Sequence, residues 1–167
     1  MFILAVYFVI QPFSIYACLV LIHGGNSMYY LTAEAEFDGA HFLSGYVGKC
    51  SNLHGHRWKV VLRIKAESLQ SESQQRGMVV DFGDLKSALK IETDYFDHTF
   101  IYEADTLKPA TVEALQEEGF LMRVVNFRPT AENFARYFYD KFKDYGFNVA
   151  EATVYETPNN CASYSEE

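Results

Sequence analysis

Residues 50–65 are CSNLHGHRWKVVLRIK, a strongly alternating run headed by a cysteine and two histidines. From residue 54 onward the odd-numbered positions include four basic residues, whereas the even-numbered ones are apolar or histidine: His54, His56, Trp58, Val60, Leu62 and Ile64. A period of two predicts a half-buried β-strand. Because side chains two positions apart on a strand share a face, the two imidazoles can converge on one metal ion.

A second alternating run supplies a third histidine. Residues 31–41 place small and apolar side chains on one parity and polar or acidic ones on the other, and the run ends at His41. We expect the two runs to pair as antiparallel neighbours that bring His41, His54 and His56 together. A single histidine is more often an ordinary core or surface residue, but three on matching faces favour a metal site. Three protein ligands with one open position are typical of catalytic zinc.

Cys50 has three interpretations. The chain has three cysteines, and their scatter over positions 18, 50 and 161 argues against a disulfide framework and favours a reducing compartment. Cys50 could be a small buried hydrophobe, a fourth ligand that closes a structural zinc site, or an acid/base whose pKa a nearby cation lowers. Its spacing from His54 leaves these alternatives open.

Size, composition and charge limit the class of protein. The 167 residues, 49% hydrophobic and 16% aromatic, predict one well-filled domain. The formal net charge of -8 argues against a general nucleic-acid binder, which needs a basic surface. It does not exclude one small anionic ligand, because local fields differ from net charge.

Residues 1–27 form an apolar leader without Asp, Glu, Lys or Arg. The leader could be a membrane anchor, since about 20 apolar residues cross a bilayer, although Gln11 and Pro12 weaken a spanning helix. It is a poor secretory signal, because its start lacks Lys and Arg. The change of composition at residues 24–27 favours an upstream extension of a chain that begins at Met28. We therefore expect one cytoplasmic domain over residues 28–167, with a membrane tether still open.

The rest of the chain predicts two helices and two further strands. Asp81 is a good N-cap for a first helix, and Pro129-Thr130 opens a second in which phenylalanines recur every fourth residue and form core. Residues 95–102 show no helical stripe, and residues 111–118 could form a short helix. Strands are expected at residues 149–156 and 161–165. The order ββααββ predicts an α+β fold in which two helices cover one face of a four-stranded antiparallel sheet, with oligomerisation through sheet edges.

From Met28 to the C-terminus the chain resembles the 6-pyruvoyl-tetrahydropterin synthase superfamily. The motifs are FDGAH (37–41), CSNLHGH (50–56), GMVVDF (77–82), FDH (96–98), PTAEN (129–133) and YET (155–157). Three residues separate Cys50 from His54, as in the bacterial branch of 6-carboxy-tetrahydropterin synthases of queuosine biosynthesis, whereas animal pyruvoyl enzymes have a longer gap. The resemblance implies the tunnelling fold, an oligomeric β-barrel, and a homohexamer built as a dimer of trimers with sites at subunit interfaces.

The resemblance also implies a reaction. The expected enzyme is a zinc-dependent lyase that converts 7,8-dihydroneopterin triphosphate to 6-carboxy-5,6,7,8-tetrahydropterin, acetaldehyde and triphosphate. The implied roles are Zn²⁺ ligands for His41, His54 and His56, acid/base for Cys50, proton relay for Asp97 and His98, and pterin binding for Glu156 and Thr130.

Plainer interpretations stay open for some of these residues. Asp97 could cap a turn, His98 could be a core histidine, and Glu156 could be a solvated charge, although a carboxylate suits the guanidine-like edge of a pterin. The alternatives for the whole protein are a pyruvoyl-type triphosphate elimination, a side-chain cleavage of aldolase type, a non-catalytic zinc or pterin binder, and a membrane-tethered form. The chain departs from its relatives at Gly39, where alanine is common, and in the longer segment 99–125, which bears on the pocket rim.

Overall fold

The computed structural model describes residues 27–166, together with Val6–Tyr7 and Cys18–Leu19, which pair as two short antiparallel strands. The anchor, signal and extension interpretations of the leader fall on residues that otherwise lie outside this described part. Among the described residues, no helix combines the length and the apolar character needed to cross a bilayer.

A six-stranded mixed sheet forms the centre of the fold. Its strands are β1 (Tyr29–His41), β2 (His54–Ala66), β3 (Thr99–Glu103), β4 (Met122–Val125), β5 (Val149–Thr157) and β6 (Asn160–Tyr164). They lie in the order β4-β3-β1-β2-β5-β6. The predicted four antiparallel strands are β1, β2, β5 and β6, so the α+β prediction is confirmed.

The predicted strand count was too low, because β3 and β4 were missed. β3 pairs in parallel with β1, through residues 99–101 of β3 and residues 39–41 of β1. β4 in turn pairs in parallel with β3. Their sequences, TFIYE and MRVV, show no clear alternation of polar and apolar residues. The segment between them holds helix α2 (Pro109–Glu117), close to the predicted 111–118.

Helices α1 (Phe82–Phe96) and α3 (Ala131–Asp144) pack against the sheet. Their N-caps are the predicted ones: Asp81 accepts a hydrogen bond from the Gly83 amide at 2.6 Å, and Thr130 accepts one from the Asn133 amide at 3.4 Å. The even-numbered parity of β2 continues from the histidines into this core. The fully buried residues include Trp58, Val60, Leu62, Phe134, Phe138 and Phe142, so the prediction that the phenylalanine stripe is core is confirmed.

Gly39 is explained by the close approach of β3. A Cβ atom at this position would lie 3.1 Å from Cδ1 of Ile101 and 3.3 Å from the Phe37 ring. Ile101 belongs to the segment in which this chain departs from its relatives. The glycine in FDGAH therefore accommodates a side chain from that same segment.

Candidate metal centre and the adjoining cavities

The register of β1 and β2 brings three histidines together. The predicted antiparallel pairing is confirmed, with His41 opposite His54 and Gly39 opposite His56. The ring centroids are 4.5 Å apart for His41 and His54, 5.3 Å for His41 and His56, and 5.0 Å for His54 and His56. The three imidazoles form a compact triangle at one end of the strand pair.

Glu156 on β5 completes this group. Its Oε1 atom lies 3.4 Å from Nε2 of His41 and 3.7 Å from Nε2 of His56. One ligand atom from each of His41, His54, His56 and Glu156 lies within 4.8 Å of the others, an arrangement that could hold a metal ion. The sequence predicted only pterin binding for Glu156, because no local pattern reveals that β5 lies beside β2.

The hydrogen bonds of the histidines fit a metal ion. Nδ1 of His41 lies 2.8 Å from the Pro129 carbonyl oxygen, and Nδ1 of His54 lies 2.7 Å from that of Asn52. A carbonyl can only accept, so both rings carry their proton on Nδ1 and present a lone pair at Nε2. Both Nε2 atoms are buried without a hydrogen-bond partner. Buried acceptors of this kind are costly unless something binds them, and a metal ion would.

Burial favours the neutral form of His41 and His56. It lowers the pKa of His41 to about 4, against an opposing effect of the Pro129 carbonyl. Burial also lowers the pKa of His56, although Glu156 acts in the other direction. Neutral imidazole is the form that binds metal ions.

We expect the metal-free protein to lose stability on acidification. The ordinary His41 pKa of 6.5 falls to about 4 on folding, so between these values the unfolded chain binds the extra proton. The free energy of unfolding is therefore highest above pH 6.5, the ordinary pKa of His41, and it decreases as the pH falls toward about 4, the pKa of His41 in the folded protein. The difference corresponds to about 3 kcal/mol. Urea unfolding with a chelator at about pH 7 and about pH 4.5 measures it.

His41→Asn is the control for this titration. Other groups also respond to acid, so the comparison of interest is the difference between the two proteins. Between the two pH values, the free energy of unfolding should change less in the variant than in the parent, by most of the difference of about 3 kcal/mol, because asparagine does not titrate. An equal dependence in both proteins would contradict the role of His41.

Asp97 and His98 form a pre-oriented pair at the end of α1. Oδ1 of Asp97 accepts a hydrogen bond from the Asp38 amide at 2.8 Å, and Oδ2 lies 2.8 Å from Nδ1 of His98. These hydrogen bonds, that of the Asp38 amide first, lower the pKa of Asp97. His98 has a positive φ of 54°, and its side chain is 76% exposed, so its interpretation as a core histidine is wrong.

Cys50 lies apart from both groups. It is half-buried in a single 3₁₀ turn, Lys49–Ser51, between β1 and β2. It is not among the four side chains that could share a metal ion. Within the described residues, no hydrogen bond joins its sulfur to Asp97 or His98, whose side-chain bonds are to each other and to Asp38. The relay of Cys50, Asp97 and His98 stays a prediction.

Two cavities adjoin the histidine group. One, of about 640 Å³, is lined by both His56 and His98, and its apolar wall includes Leu115, Phe120 and Leu121. The other, of about 460 Å³, is lined by Lys59, Tyr155 and Glu156 and shares Gly55, His56 and Arg57 with the first. These volumes suit a small-molecule ligand. Segment 99–125 therefore lines the first cavity and forms part of its rim.

Thr130 has a structural role at the start of α3. Its hydroxyl caps the helix, and it does not line either cavity. The preceding residue, Pro129, holds the His41 ring. A pterin contact for Thr130 stays a prediction.

Comparison with known proteins identifies the family. The sequence profile described as 6-pyruvoyl tetrahydropterin synthase matches residues 30–167. The chain belongs to this family. A curated family member of Haemophilus influenzae, named 6-carboxy-5,6,7,8-tetrahydropterin synthase, is 36% identical over 142 residues, which is 83% of this chain and 100% of the relative. A protein of the same name from Aquifex aeolicus is 33% identical over 72% of this chain and 78% of its own length.

Solved structures confirm the fold. An uncharacterised protein of Wolinella succinogenes superimposes with a TM-score of 0.71 at 22% identity, covering 84% of this chain and 99% of the other. The 6-pyruvoyltetrahydropterin synthase of Plasmodium vivax gives a TM-score of 0.61 at 19% identity, with the same coverage. The predicted tunnelling fold is therefore confirmed.

Proposed function

We propose that the protein is a zinc-dependent lyase that converts 7,8-dihydroneopterin triphosphate and one water molecule to 6-carboxy-5,6,7,8-tetrahydropterin, acetaldehyde and triphosphate. Such a step belongs to queuosine and 7-deazapurine biosynthesis. The observation that carries the proposal is the triangle of imidazoles, two with unpartnered buried Nε2 atoms, beside a cavity that His98 also lines. This chain matches 100% of the length of the Haemophilus influenzae relative. The name of that relative supports the choice of reaction.

Zn²⁺ would be held by His41, His54 and His56. Imidazole nitrogens suit zinc, and the Nδ1 hydrogen bonds of His41 and His54 fix the orientation of these two rings. Bound zinc would polarise a side-chain oxygen of the substrate and so make the neighbouring C–H and O–H protons more acidic. Glu156 is close enough to be either a ligand or a substrate anchor, and we propose the anchor, because its carboxylate can accept two parallel N–H bonds from a pterin edge.

Cys50 and the Asp97–His98 pair would move the protons. The thiolate of Cys50 would take a proton from the substrate and return it at another position. His98 would exchange protons with Cys50, while Asp97 fixes the ring orientation through Nδ1 and stabilises the imidazolium.

The active form would be a homohexamer with sites at subunit interfaces. The exposure of His98 and the lack of a hydrogen bond to Cys50 within the described chain support a relay completed between copies. We also propose a cytoplasmic location, since the substrate derives from cytosolic GTP and the thiol needs reducing conditions.

A product assay tests the function directly. The zinc-loaded protein would be incubated with 7,8-dihydroneopterin triphosphate, and the products identified by mass. The proposal requires acetaldehyde together with the 6-carboxy pterin. A pyruvoyl pterin without acetaldehyde would indicate the pyruvoyl-type elimination instead. Substrate binding without turnover would indicate a non-catalytic pterin-binding protein.

Thr130→Ala should affect both stability and substrate binding. Loss of the cap should lower the free energy of unfolding by about 1 kcal/mol. If the hydroxyl also contacts the pterin, KM should rise roughly fivefold, the value of one hydrogen bond of about 1 kcal/mol. Asp81→Ala removes the equivalent cap of α1 and should cost similar stability without changing KM. Equal KM values in the two variants would restrict Thr130 to capping.

A further inference from the structure

The segment that precedes α3 contacts two separate parts of the candidate site. The Pro129 carbonyl accepts the hydrogen bond from His41 Nδ1. The neighbouring Arg128 reaches in another direction, where Nη2 donates to the Ser44 carbonyl oxygen at 2.8 Å. Ser44 lies in residues 42–53, which connect β1 to β2 and carry Cys50; we name this connection the thiol loop. Adjacent residues thus hold a metal-ligand ring and the thiol loop.

The thiol loop has little packing of its own. Val47 at its tip is 97% exposed, Leu53 is 62% exposed, and Gly45 has a φ of 70°. Its first half is joined to Cys50 by a hydrogen bond of 2.8 Å from the Leu43 amide to the Cys50 carbonyl. With few buried apolar contacts, the position of such a loop depends on polar contacts to the rest of the fold.

Arg128 is a firm anchor for this loop. Its own carbonyl accepts hydrogen bonds from the Thr130 amide at 2.8 Å and from Asn133 Nδ2 at 3.0 Å, which fix its backbone to the start of α3. Its guanidinium carbon lies 5.9 Å from the centre of the Tyr46 ring, also in the loop. Its Nε atom is buried without a hydrogen-bond partner, so the inner part of the guanidinium is enclosed.

We propose that Arg128 is a positioning residue. It holds the thiol loop, and with it Cys50, in a fixed position relative to the histidine group. The guanidinium acts through the Ser44 carbonyl and the Tyr46 ring and does not touch the substrate. Its role in turnover rests on the proposed function. Its effect on the loop does not, and can be measured without a substrate.

The test uses full-length protein with Cys18→Ser and Cys161→Ser, so that Cys50 is the only thiol. Arg128→Met keeps much of the side-chain volume but cannot donate a hydrogen bond. We expect kcat to fall about 10- to 100-fold with KM changed less than about threefold, since small misplacements of a reacting group have effects of this size. Alkylation of Cys50 by iodoacetamide should accelerate at least about threefold because the loop opens more often. Zinc content should not change.

Two variants control this experiment. Arg128→Lys can still donate to Ser44 but lacks the planar fork, so both its kcat and its alkylation rate should lie between those of the parent and the methionine variant. Arg136→Met removes an exposed arginine of α3 that pairs with Asp140 at 3.5 Å, and should match the parent.

Parent-like kcat and alkylation in Arg128→Met would overturn the proposal. Loss of zinc in step with faster alkylation would also overturn it, because the defect would then reach the metal ligands and not the loop alone. Should the methionine variant fail to fold, the lysine variant decides by the same criteria. If the parent releases no acetaldehyde, the proposed function fails, while the alkylation rates still decide whether Arg128 holds the loop.

Discussion

Cys50→Ala should abolish acetaldehyde release while leaving zinc content and fold unchanged. The thiol is the proposed acid/base, and loss of such a group lowers kcat by about 10²- to 10⁴-fold. Zinc should remain because Cys50 is not one of the four side chains whose ligand atoms converge. The replacement also removes only one half-buried sulfur atom, so the thermal midpoint should change little. Product analysis, metal analysis and thermal unfolding on the same preparation measure all three quantities.

The matched control is Cys161→Ala. Cys161 is exposed on β6, so its replacement should leave turnover, zinc content and stability at the parent values. If Cys50→Ala instead loses zinc together with fold, Cys50 is a fourth ligand in a closed structural site, and the catalytic interpretation fails. Turnover at the parent rate would assign the proton transfers to another group.

The histidine triangle was predictable from sequence because it depends on strand periodicity and on one strand pairing. His54 and His56 share a face by the period of two, and the antiparallel hairpin then places His41 opposite His54. Glu156 joins them through a second pairing, between β2 and β5, whose strands are far apart in the chain. Only the motif resemblance pointed to Glu156, and it did not indicate its position beside the Nε2 atoms.

The setting of His98 was less predictable. Its partner Asp97 is fixed by the amide of Asp38, 59 residues earlier in the chain, and no periodic pattern encodes such a contact between side chain and main chain. The short strands β3 and β4 escaped prediction for a related reason. β3 pairs in parallel with residues 39–41 of β1, a contact between distant parts of the chain that the sequence of β3 does not reveal.

Mixed oligomers of Cys50→Ala and His98→Ala chains should recover activity that neither variant has alone. In the proposed assembly, a site takes its thiol from one copy and its Asp97–His98 pair from another. With random assembly at equal amounts, about half of the copies carry an intact thiol and about half an intact imidazole, so roughly a quarter of the sites are complete. Co-expression with two different affinity tags and purification on both isolates the mixed species, and acetaldehyde release measures the recovery.

A second mixture tests whether the recovery reflects geometry. Cys50 lies on the connection between β1 and β2, and His54 is the first residue of β2, so we expect Cys50→Ala and His54→Ala to affect the same site of each copy. That mixture should stay inactive, because every site then lacks either its thiol or a zinc ligand. Absence of recovery in the first mixture would mean that the relay is completed within one chain, which needs a movement of the thiol loop or of His98. Full activity of His98→Ala alone would remove His98 from the relay, and with it the reason for a site shared between copies.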